Sequence, residues 1–424
     1  MISRRKVLTA AGIGIGTAYM PFVGAAELLP KTGKRIVIVG GGWGGATAAR
    51  YVKRAAPDID VVLIEAEYAF RSCPTSNWVI GGIWGMADIT TSYDRLTSRH
   101  GIHVLRDRAI GIDLDKREVR VTSGQVHFDR LILSPGIDLI YDGIEGMDGA
   151  GRARFPAAWK AGPETAAIRR ALEAMPSNGT VAMTVPLGPY RCPPGPYERA
   201  SLIASYLKKN KQGARLIVLD ANQKIISKGK LFKAAWDELY SDIIDYRPEQ
   251  ELVGVDADTG TIRTAFDDIV ADVGNVIPPQ RANGLLFDAG LVPKGRRWAP
   301  VKPWTFESTI AENVHIVGDA TDQATVGRVP KSGYVANSMG KVAAAAAVAL
   351  LEAKEPPRPS MANTCYSLVN DTEGISVTAL YKFDDVSQKF VVPPGASGLS
   401  SGRSTIVARN ARDWAHAIWA DMLG

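Results

Sequence analysis

Short apolar runs and longer segments with helical periodicity follow one another along the chain, and this order predicts an α/β fold. Residues 36–39, 61–64 and 216–219 are uninterrupted runs of Val, Ile and Leu. Such runs are typical of strands that are buried on both faces of a parallel sheet. Segments with helical periodicity, such as 46–52 and 163–175, lie between the runs. The pattern therefore predicts βαβ units that form parallel sheets.

Glycines occupy the turn after the first of these strands. Gly40, Gly42 and Gly45 fit the spacing G-x-G-x-x-G, and the second strand ends in Glu65. Gly40 permits a tight turn, Gly42 lets backbone amides approach a pyrophosphate, and Gly45 lets the following helix pack closely on the strand. Glu65 is placed to accept hydrogen bonds from ribose hydroxyls. The unit therefore predicts a dinucleotide site, and the alternative is a glycine-rich turn without a ligand.

Two later segments extend this pattern. A strand within 128–136 runs into a tight turn, and a strand within 313–319 ends in Gly318-Asp319 before the helical stretch 333–351. Together with the glycine turn, they resemble the three FAD-contacting segments of the flavoprotein disulfide reductase superfamily. The resemblance implies that Gly318 and Asp319 contact FAD, with the Asp319 carboxylate near its ribityl or phosphate region.

The same resemblance implies a glutathione reductase-like organisation. We expect two dinucleotide-binding-type domains followed by a C-terminal α+β interface domain. The predicted boundaries are 1–26 for a signal peptide, 34–145 and 282–358 for the two parts of the FAD-binding domain, 146–281 for the second dinucleotide-type domain, and 359–424 for the C-terminal domain.

The second domain departs from the pattern of a nicotinamide-binding unit. Its first strand, 180–185, is followed by a turn over 186–197 that contains five prolines where a second glycine motif would stand. Proline lacks the backbone N–H donors that hold a pyrophosphate. We therefore expect no NAD(P)H site, which means that another molecule supplies the electrons.

The chain contains three cysteines, Cys73, Cys192 and Cys365, and none of them forms a C-x-x-C pair. The odd count suggests two arrangements. Cys192 and Cys365 form a redox-active disulfide while Cys73 has a separate role, or the chain holds one structural disulfide and one buried thiol. Cys192 lies in the proline-rich turn, where the nicotinamide of relatives would face the flavin, and this position favours the redox-active pair. The five histidines form no metal-binding pattern, so we expect no metal site.

The N-terminal residues predict export. Arg4, Arg5 and Lys6 precede an uncharged run over 7–26 that is rich in Gly and Ala, which resembles a twin-arginine signal for proteins that fold before export. The alternative is an uncleaved membrane anchor, which the weak hydrophobicity of the run disfavours. We expect a periplasmic protein without integral membrane contact.

The charge of the chain argues against a nucleic-acid partner. The formal net charge is +6, and three of the positive charges belong to the predicted leader. No basic stripe with interleaved aromatic residues occurs, so nucleic acid is not an expected partner.

Several segments together resemble the flavoprotein subunit of flavocytochrome c sulfide dehydrogenase. They are the leader, the glycine motif at 40–45, residues 71–77, 191–199 and 363–365, and the Trp-rich tail. The resemblance implies a covalent bond from Cys73 to the 8α-methyl group of FAD. It also implies a disulfide between Cys192 and Cys365 beside the flavin ring.

The family's reaction is implied in the same way. Sulfide would attack the Cys192–Cys365 disulfide, two electrons would pass to FAD, and a c-type cytochrome subunit would accept them one at a time. A heterodimer with that cytochrome is the expected assembly.

Three further residues have two interpretations each. Glu198, just before a helix predicted over 199–207, either interacts favourably with the helix dipole or transfers protons for bound sulfide. Trp419, in the apolar stripe of the tail helix, either packs in the core or stacks near the flavin. Lys331 is either a surface residue or a positive charge near the reduced flavin.

Two rival functions remain open. A sulfide:quinone oxidoreductase shares the flavin fold and the cysteine chemistry, but it needs a membrane-dipping amphipathic surface, and the tail helix carries few cations. A non-catalytic flavoprotein accessory to a sulfur-oxidising system would bind FAD without sulfide-dependent cytochrome reduction.

Overall fold

The computed structural model describes residues 27–30 and 33–424. The predicted signal peptide, 1–26, lies outside the described residues. A seven-stranded sheet forms the core of the first unit, and Ile38 at its centre lies opposite Leu63 on one side and Ile132 on the other. The strands from Val314–Ile316 to His103–Arg106 are parallel. In spatial order the sheet contains Val301–Lys302, Glu307–Ser308, Val314–Ile316, Arg130–Leu133, Arg35–Val39, Asp60–Glu65 and His103–Arg106.

Two long helices pack against each other beside this sheet, Trp43–Ala55 and Gly333–Leu351. A Cβ atom at Gly340 would lie 2.4 Å from the carbonyl oxygen of Gly44, so a small residue is needed where they meet. Among the described residues, Gly333–Leu351 is the one helix that is long and apolar enough to cross a membrane, with a mean hydropathy of 1.4. Because 61% of its most apolar window is buried inside the protein, the helix has the character of a core helix.

The second unit contains a four-stranded parallel sheet. Its spatial order is Ile244–Pro248, Arg215–Asp220, Thr180–Val185 and Val273–Asn275. The turn that carries Cys192 leaves the carboxyl end of Thr180–Val185 and leads into the helix Gly195–Asn210. This helix begins earlier than the predicted 199–207. Pro194 and Pro196 are compatible with its start because the first N–H groups of a helix have no intrahelical acceptor.

The two chain crossings between the units lie side by side. Strand Ile137–Leu139 enters the second unit, strand Gln280–Ala282 leaves it, and the two pair in antiparallel register with Ile137 opposite Ala282. They lie near the predicted boundaries at 145 and 282, which themselves stay predictions.

The C-terminal residues form a sheet covered by one helix. Strands Ser360–Leu368 and Gly374–Asp384 pair along their length, and the helix Thr405–Leu423 packs on them and on Trp43–Ala55. Asp421 fixes this helix, because its carboxylate accepts hydrogen bonds from Tyr51 (2.8 Å) and Asn337 (3.1 Å).

Smaller elements complete the described chain. The remaining strands are Ala69–Arg71, Thr90–Ser92, Ala109–Asp113, Glu118–Val121, Gly124–His127, Leu252–Asp256, Thr261–Thr264, Asp268–Val270, Lys389–Val391 and Ser397–Leu399. The remaining helices are Ser76–Ile80, Asp94–His100, Gly149–Arg154, Pro163–Ala174, Gly229–Leu239, Gly284–Asp288 and Gln323–Val326, with 3₁₀ turns at Ala87–Ile89 and Gly318–Ala320. The α/β architecture with two sheet-based units and a C-terminal α+β unit matches the predicted fold class.

Candidate functional site

A cleft of about 690 Å³ opens beside the glycine turn, which follows the first strand of the seven-stranded sheet. Its volume is in the range of sites for small molecules and cofactors. Most residues predicted to bind the cofactor line it, namely Gly40, Gly42, Glu65, Cys73, Gly318 and Asp319. The structure therefore brings segments from three distant parts of the sequence to one cavity.

The glycine turn has the geometry that the sequence motif requires. Gly40 has a φ of +93°, a left-handed conformation that favours glycine. A Cβ atom at Gly45 would lie 1.8 Å from the Gly40 carbonyl oxygen, whereas a Cβ atom at Gly42 would meet nothing within 4 Å. Gly45 is thus needed for helix packing, and Gly42 leaves open space toward the cleft.

Two carboxylates of the cleft are suited to a ligand that carries hydroxyl groups. Glu65 Oε2 accepts a hydrogen bond from the Gly41 amide at 2.5 Å, which holds this carboxylate against the glycine turn. Asp319 Oδ1 is buried and has no hydrogen-bond partner among the described residues, and burial raises the pKa of this carboxyl group. A buried acceptor without a partner, facing a cavity, fits a ligand hydroxyl. The residues of the cleft therefore fit the ribose and ribityl groups of FAD.

The cleft continues into a narrower cavity that reaches a second cysteine. Both cavities are lined by Trp43, Cys73, Arg191 and Asp319, and the narrower one also includes Cys192. Cys73 and Cys192 therefore face a common space, although they lie in different units of the fold.

Cys192 is held in an unusual backbone conformation. Its φ is +57°, a strained value for a residue with a side chain, and strain of this kind is concentrated at functional sites. Its amide donates a hydrogen bond to the carbonyl of Lys331 at 2.7 Å, and its carbonyl accepts one from Gly195 at 2.8 Å. The turn thereby fixes where the sulfur points.

All three cysteines are free thiols in the structure. Burial raises the pKa of the Cys192 thiol, and repulsion from the ionised forms of Cys365 and Glu198 raises it further, whereas the positive charges of Lys228 and Arg191 lower it. Burial also raises the pKa of the Cys365 thiol. Cys365 is thus an electrostatic neighbour of Cys192, and the disulfide between them stays a prediction.

Glu198 connects segments that carry the cysteines. Its carboxylate is 4% exposed. Oε1 accepts hydrogen bonds from the Trp78 indole at 3.0 Å and from the Leu368 amide at 2.9 Å, while Oε2 accepts one from the Asn77 side chain at 3.3 Å. Trp78 follows Cys73, and Leu368 follows Cys365. Burial raises the pKa of this carboxyl group. Glu198 therefore does more than interact with the dipole of its own helix.

The tail helix approaches the cleft through a different tryptophan of its apolar stripe than the predicted Trp419. Trp419 packs against Trp84 (6.1 Å between ring centroids) and His416 (5.5 Å), and it is not among the residues that line the described cavities. Trp414 on the same helix stacks on Trp43, a cleft residue, with 5.7 Å between centroids and 7° between planes. Trp419 therefore packs in the core among the described residues. Trp414 is the tryptophan of this helix that lies next to the cleft wall.

Lys331 is a buried cation. It is 4% exposed, and its Nζ donates hydrogen bonds to the carbonyls of Asp319 (2.8 Å) and Thr321 (2.6 Å) above the ring of Trp298. Burial lowers its pKa to about 7. Of the two interpretations of Lys331, the surface residue is therefore wrong, and the positive charge near the reduced flavin stays a prediction.

The second unit has an acidic residue, Asp220, where related folds bind a nucleotide ribose, but its carboxylate is hydrogen-bonded within the protein. Asp220 ends the second strand of that unit, the position at which related folds bind ribose. Its carboxylate instead accepts hydrogen bonds from Tyr197 and Tyr246, both at 2.8 Å, and from the Asn222 amide at 2.9 Å. With its acceptors occupied and its side chain buried, Asp220 is not presented to a nicotinamide nucleotide.

Comparisons with known proteins identify the family. Residues 165–278 match the model "Sulfide dehydrogenase [flavocytochrome c] flavoprotein chain, central", and residues 357–423 match "Flavocytochrome c sulphide dehydrogenase, flavin-binding". The sulfide dehydrogenase [flavocytochrome c] flavoprotein chain of Chlorobaculum thiosulfatiphilum is 52% identical over 46 residues, which are 11% of this chain and 96% of that sequence. The chain belongs to the flavocytochrome c sulfide dehydrogenase flavoprotein family. The resemblance seen in the sequence is thereby confirmed, and with it FAD as cofactor and the oxidation of sulfide as the activity.

Further comparisons concern the fold of this chain. Residues 34–160 match "Pyridine nucleotide-disulphide oxidoreductase". The sulfide:quinone oxidoreductase structure from Aquifex aeolicus has a TM-score of 0.76 at 18% identity and covers 92% of both chains. The NAD-dependent persulfide reductase structure from A. fulgidus has a TM-score of 0.65 at 15% identity, with 90% of this chain and 77% of that chain covered. These likenesses place the chain in the fold class of FAD-dependent disulfide oxidoreductases.

Proposed function

We propose that this flavoprotein works in the periplasm, where sulfide attacks a Cys192–Cys365 disulfide and the electrons leave through FAD to a c-type cytochrome subunit. The family name implies a cytochrome partner. The observation that carries the proposal is the common cavity of Cys73, Cys192 and Asp319, because it joins a cofactor-binding wall to a cysteine of the second unit.

The chain's own residues suit the cofactor role assigned to them. Backbone groups at Gly40 and Gly42 would approach the pyrophosphate, Glu65 would accept from the ribose, and the free oxygen of Asp319 would accept a ligand hydroxyl. Cys73 would carry the covalent bond to FAD. When bound, FAD supplies an acceptor that takes electrons in pairs and releases them singly.

The disulfide suits sulfide as a substrate. A thiolate or hydrosulfide attacks one sulfur of a disulfide and releases the other as a thiolate. Glu198, which is buried and hydrogen-bonded to the segments that follow Cys73 and Cys365, is the proposed proton carrier for bound sulfide. Burial raises the pKa of its carboxyl group, which favours the protonated form that a proton donor needs.

A nicotinamide nucleotide is a poor candidate for the electron carrier. The turn over 186–197 lacks several N–H donors, and Asp220 is already bound by two tyrosines. A cytochrome partner needs no nucleotide site in this chain, because it accepts electrons at the protein surface.

Acid precipitation of the purified protein tests the covalent cofactor. We expect the yellow flavin to remain with the polypeptide and to be released in the Cys73→Ala variant, with a matching change in polypeptide mass. Flavin that is freely released from the wild type would contradict a thioether at Cys73.

Anaerobic sulfide titration tests the reaction. Wild-type protein should lose its flavin absorbance with sulfide and then reduce added cytochrome c, whereas Cys192→Ser and Cys365→Ser should not. Reduction of a soluble quinone in preference to cytochrome would favour the sulfide:quinone alternative. Bound FAD that never responds to sulfide would favour the accessory flavoprotein.

A further inference from the structure

A buried lysine lies against Cys365, one of the two cysteines of the proposed disulfide. Lys228 is 6% exposed. Its Nζ donates hydrogen bonds to the Cys365 carbonyl at 2.9 Å and to the Ser367 hydroxyl at 2.8 Å, and it lies 3.9 Å from Cys365 Sγ. An ammonium group has three N–H donors, and these three contacts account for all of them.

The charge of Lys228 has no counter-ion in contact. Among the described residues no carboxylate lies within ion-pair distance of it, and Glu198 interacts with it only at longer range. Lys228 also precedes the helix Gly229–Leu239, at the end where the helix dipole disfavours a cation. A buried charge without a partner is costly. A thiolate at Cys365 would provide the missing negative charge.

The two cysteines therefore differ in their surroundings. Cys192 lines the cavity that also holds Cys73, whereas Cys365 is not among the lining residues described. No hydrogen bond reaches Cys192 Sγ among the described residues, and Lys228 and Arg191 act on this sulfur only at longer range. Cys365 Sγ, in contrast, has the Lys228 ammonium in contact at 3.9 Å. A nucleophile in the cavity meets Cys192 first, and the cation stabilises charge on Cys365.

We infer that Lys228 makes Cys365 the leaving sulfur, so that sulfide attacks Cys192. This inference rests on the proposed disulfide. The hydrosulfide sulfur forms a bond to Cys192 Sγ as the Cys192–Cys365 bond breaks, and the electron pair of the broken bond stays on Cys365 Sγ. The products are a persulfide on Cys192 and a thiolate on Cys365, so atoms and the single negative charge balance. Lys228 acts at a reacting sulfur, since a stabilised leaving thiolate speeds exchange.

Mapping the persulfide in the wild-type protein tests the direction of attack. Oxidised holoprotein is mixed anaerobically with sulfide, quenched rapidly with iodoacetamide, digested and analysed by mass spectrometry. We expect the additional sulfur on the Cys192 peptide and a simple alkyl label on Cys365. The reverse distribution would overturn the inference while leaving the disulfide mechanism intact.

A Lys228→Met variant tests the cation itself. In reduced protein that also carries Cys192→Ser, the pH of half-maximal alkylation of Cys365 should rise by about one pH unit or more, a roughly tenfold loss of thiolate. The other titratable groups around Cys365 are Glu198 and Tyr381, and both are unchanged in this comparison. Lys233→Met, an exposed change on the helix that Lys228 precedes, is the matched control. An alkylation profile that superimposes on that of the control would refute the role of Lys228.

One measurement tests the proposed disulfide separately from the role of Lys228. Alkylation of the oxidised wild type before any reductant shows whether Cys192 and Cys365 are bonded. If both react as free thiols in fully oxidised holoprotein, the proposed disulfide fails and the inference fails with it. If both are protected, the persulfide map and the Lys228→Met profile judge the inference alone.

Discussion

At the scale of single residues, the site depends on polar groups buried where water cannot reach them. Glu198 is one such group, and three donors from two other segments meet on its carboxylate. Removing one partner of a buried hydrogen bond exposes the full cost of desolvating the other. Its substitution should therefore affect folding as well as proton transfer.

Glu198→Ala should lower the free energy of unfolding by about 2–6 kcal/mol, since the Trp78 indole and the Leu368 amide each lose an acceptor at about 1–3 kcal/mol per group. Urea denaturation followed by circular dichroism measures the change. Glu251→Ala, at an exposed position, is the control. A loss below about 1 kcal/mol would instead indicate a carboxylate that serves only the helix dipole.

His315 predicts a pH-dependent stability. It is fully buried, its Nδ1 donates to the Thr305 carbonyl at 2.9 Å, and Arg130 donates to its Nε2 at 3.1 Å. Burial lowers its pKa to about 4 from 6.5. The unfolded chain therefore takes up the proton first, and stability that is complete above pH 6.5 is lost as the pH falls toward 4.

Urea titrations at several pH values check this prediction. The wild type should lose at most about 3 kcal/mol between the two pKa values, and His315→Gln should show a flatter dependence. His103→Gln, an exposed histidine, should follow the wild type. A His315→Gln curve parallel to that of the wild type would assign the pH dependence to other groups.

At the scale of elements, the turn between Arg35–Val39 and Trp43–Ala55 separates two uses of glycine. The Gly40 carbonyl oxygen occupies the space that a Cβ atom at Gly45 would need, whereas the space beside Gly42 is open. The same residue type thus serves packing at one position and ligand access at the other.

Gly45→Ala and Gly42→Ala should therefore differ. The first should lower the melting temperature by several degrees because the helix must move away from the strand. The second should leave the melting temperature of protein produced without flavin nearly unchanged, and it should reduce the flavin content of protein produced with flavin. Thermal unfolding and flavin-to-protein absorbance measure both, with Gly149→Ala as a control that meets no neighbour within 4 Å. Equal losses of stability in the two variants would contradict this division.

Local physics explains what the sequence could predict. The sequence predicts the strand before Gly40, the turn and the following helix, because each of them depends on neighbours within a few residues. Lys228 was missed because its partner Cys365 is 137 residues away and no local motif links them. Trp414 and Trp419 share one helix and one apolar stripe, so periodicity could not tell which ring reaches the cleft wall. The closure of Asp220 by two tyrosines likewise depends on tertiary contacts.

At the scale of the whole molecule, the predicted twin-arginine leader is of the kind that suits a protein that binds its flavin before export. A signal that carries folded cargo lets the cofactor be inserted before export. The cleft is lined by segments that lie far apart in the sequence, at 40–44, 65–73 and 318–319, so its assembly needs both parts of the chain in place.

Export through the twin-arginine route predicts that replacing Arg4 and Arg5 together by Lys retains the protein inside the cell. Cell fractionation with immunoblotting measures the distribution, and flavin fluorescence shows whether the retained protein carries its cofactor. Unchanged secretion of the double variant would point to another route.

The paired crossings at Ile137–Leu139 and Gln280–Ala282 have a consequence for the second unit. Because entry and exit of the second unit are adjacent, with Ile137 opposite Ala282, that whole unit is attached at one place. It can change its ligand, or lose it, without shifting the ends to which it is joined. The covalent path between the two units therefore enters and leaves by the same doorway, and remodelling of the turn over 186–197 leaves that doorway in place.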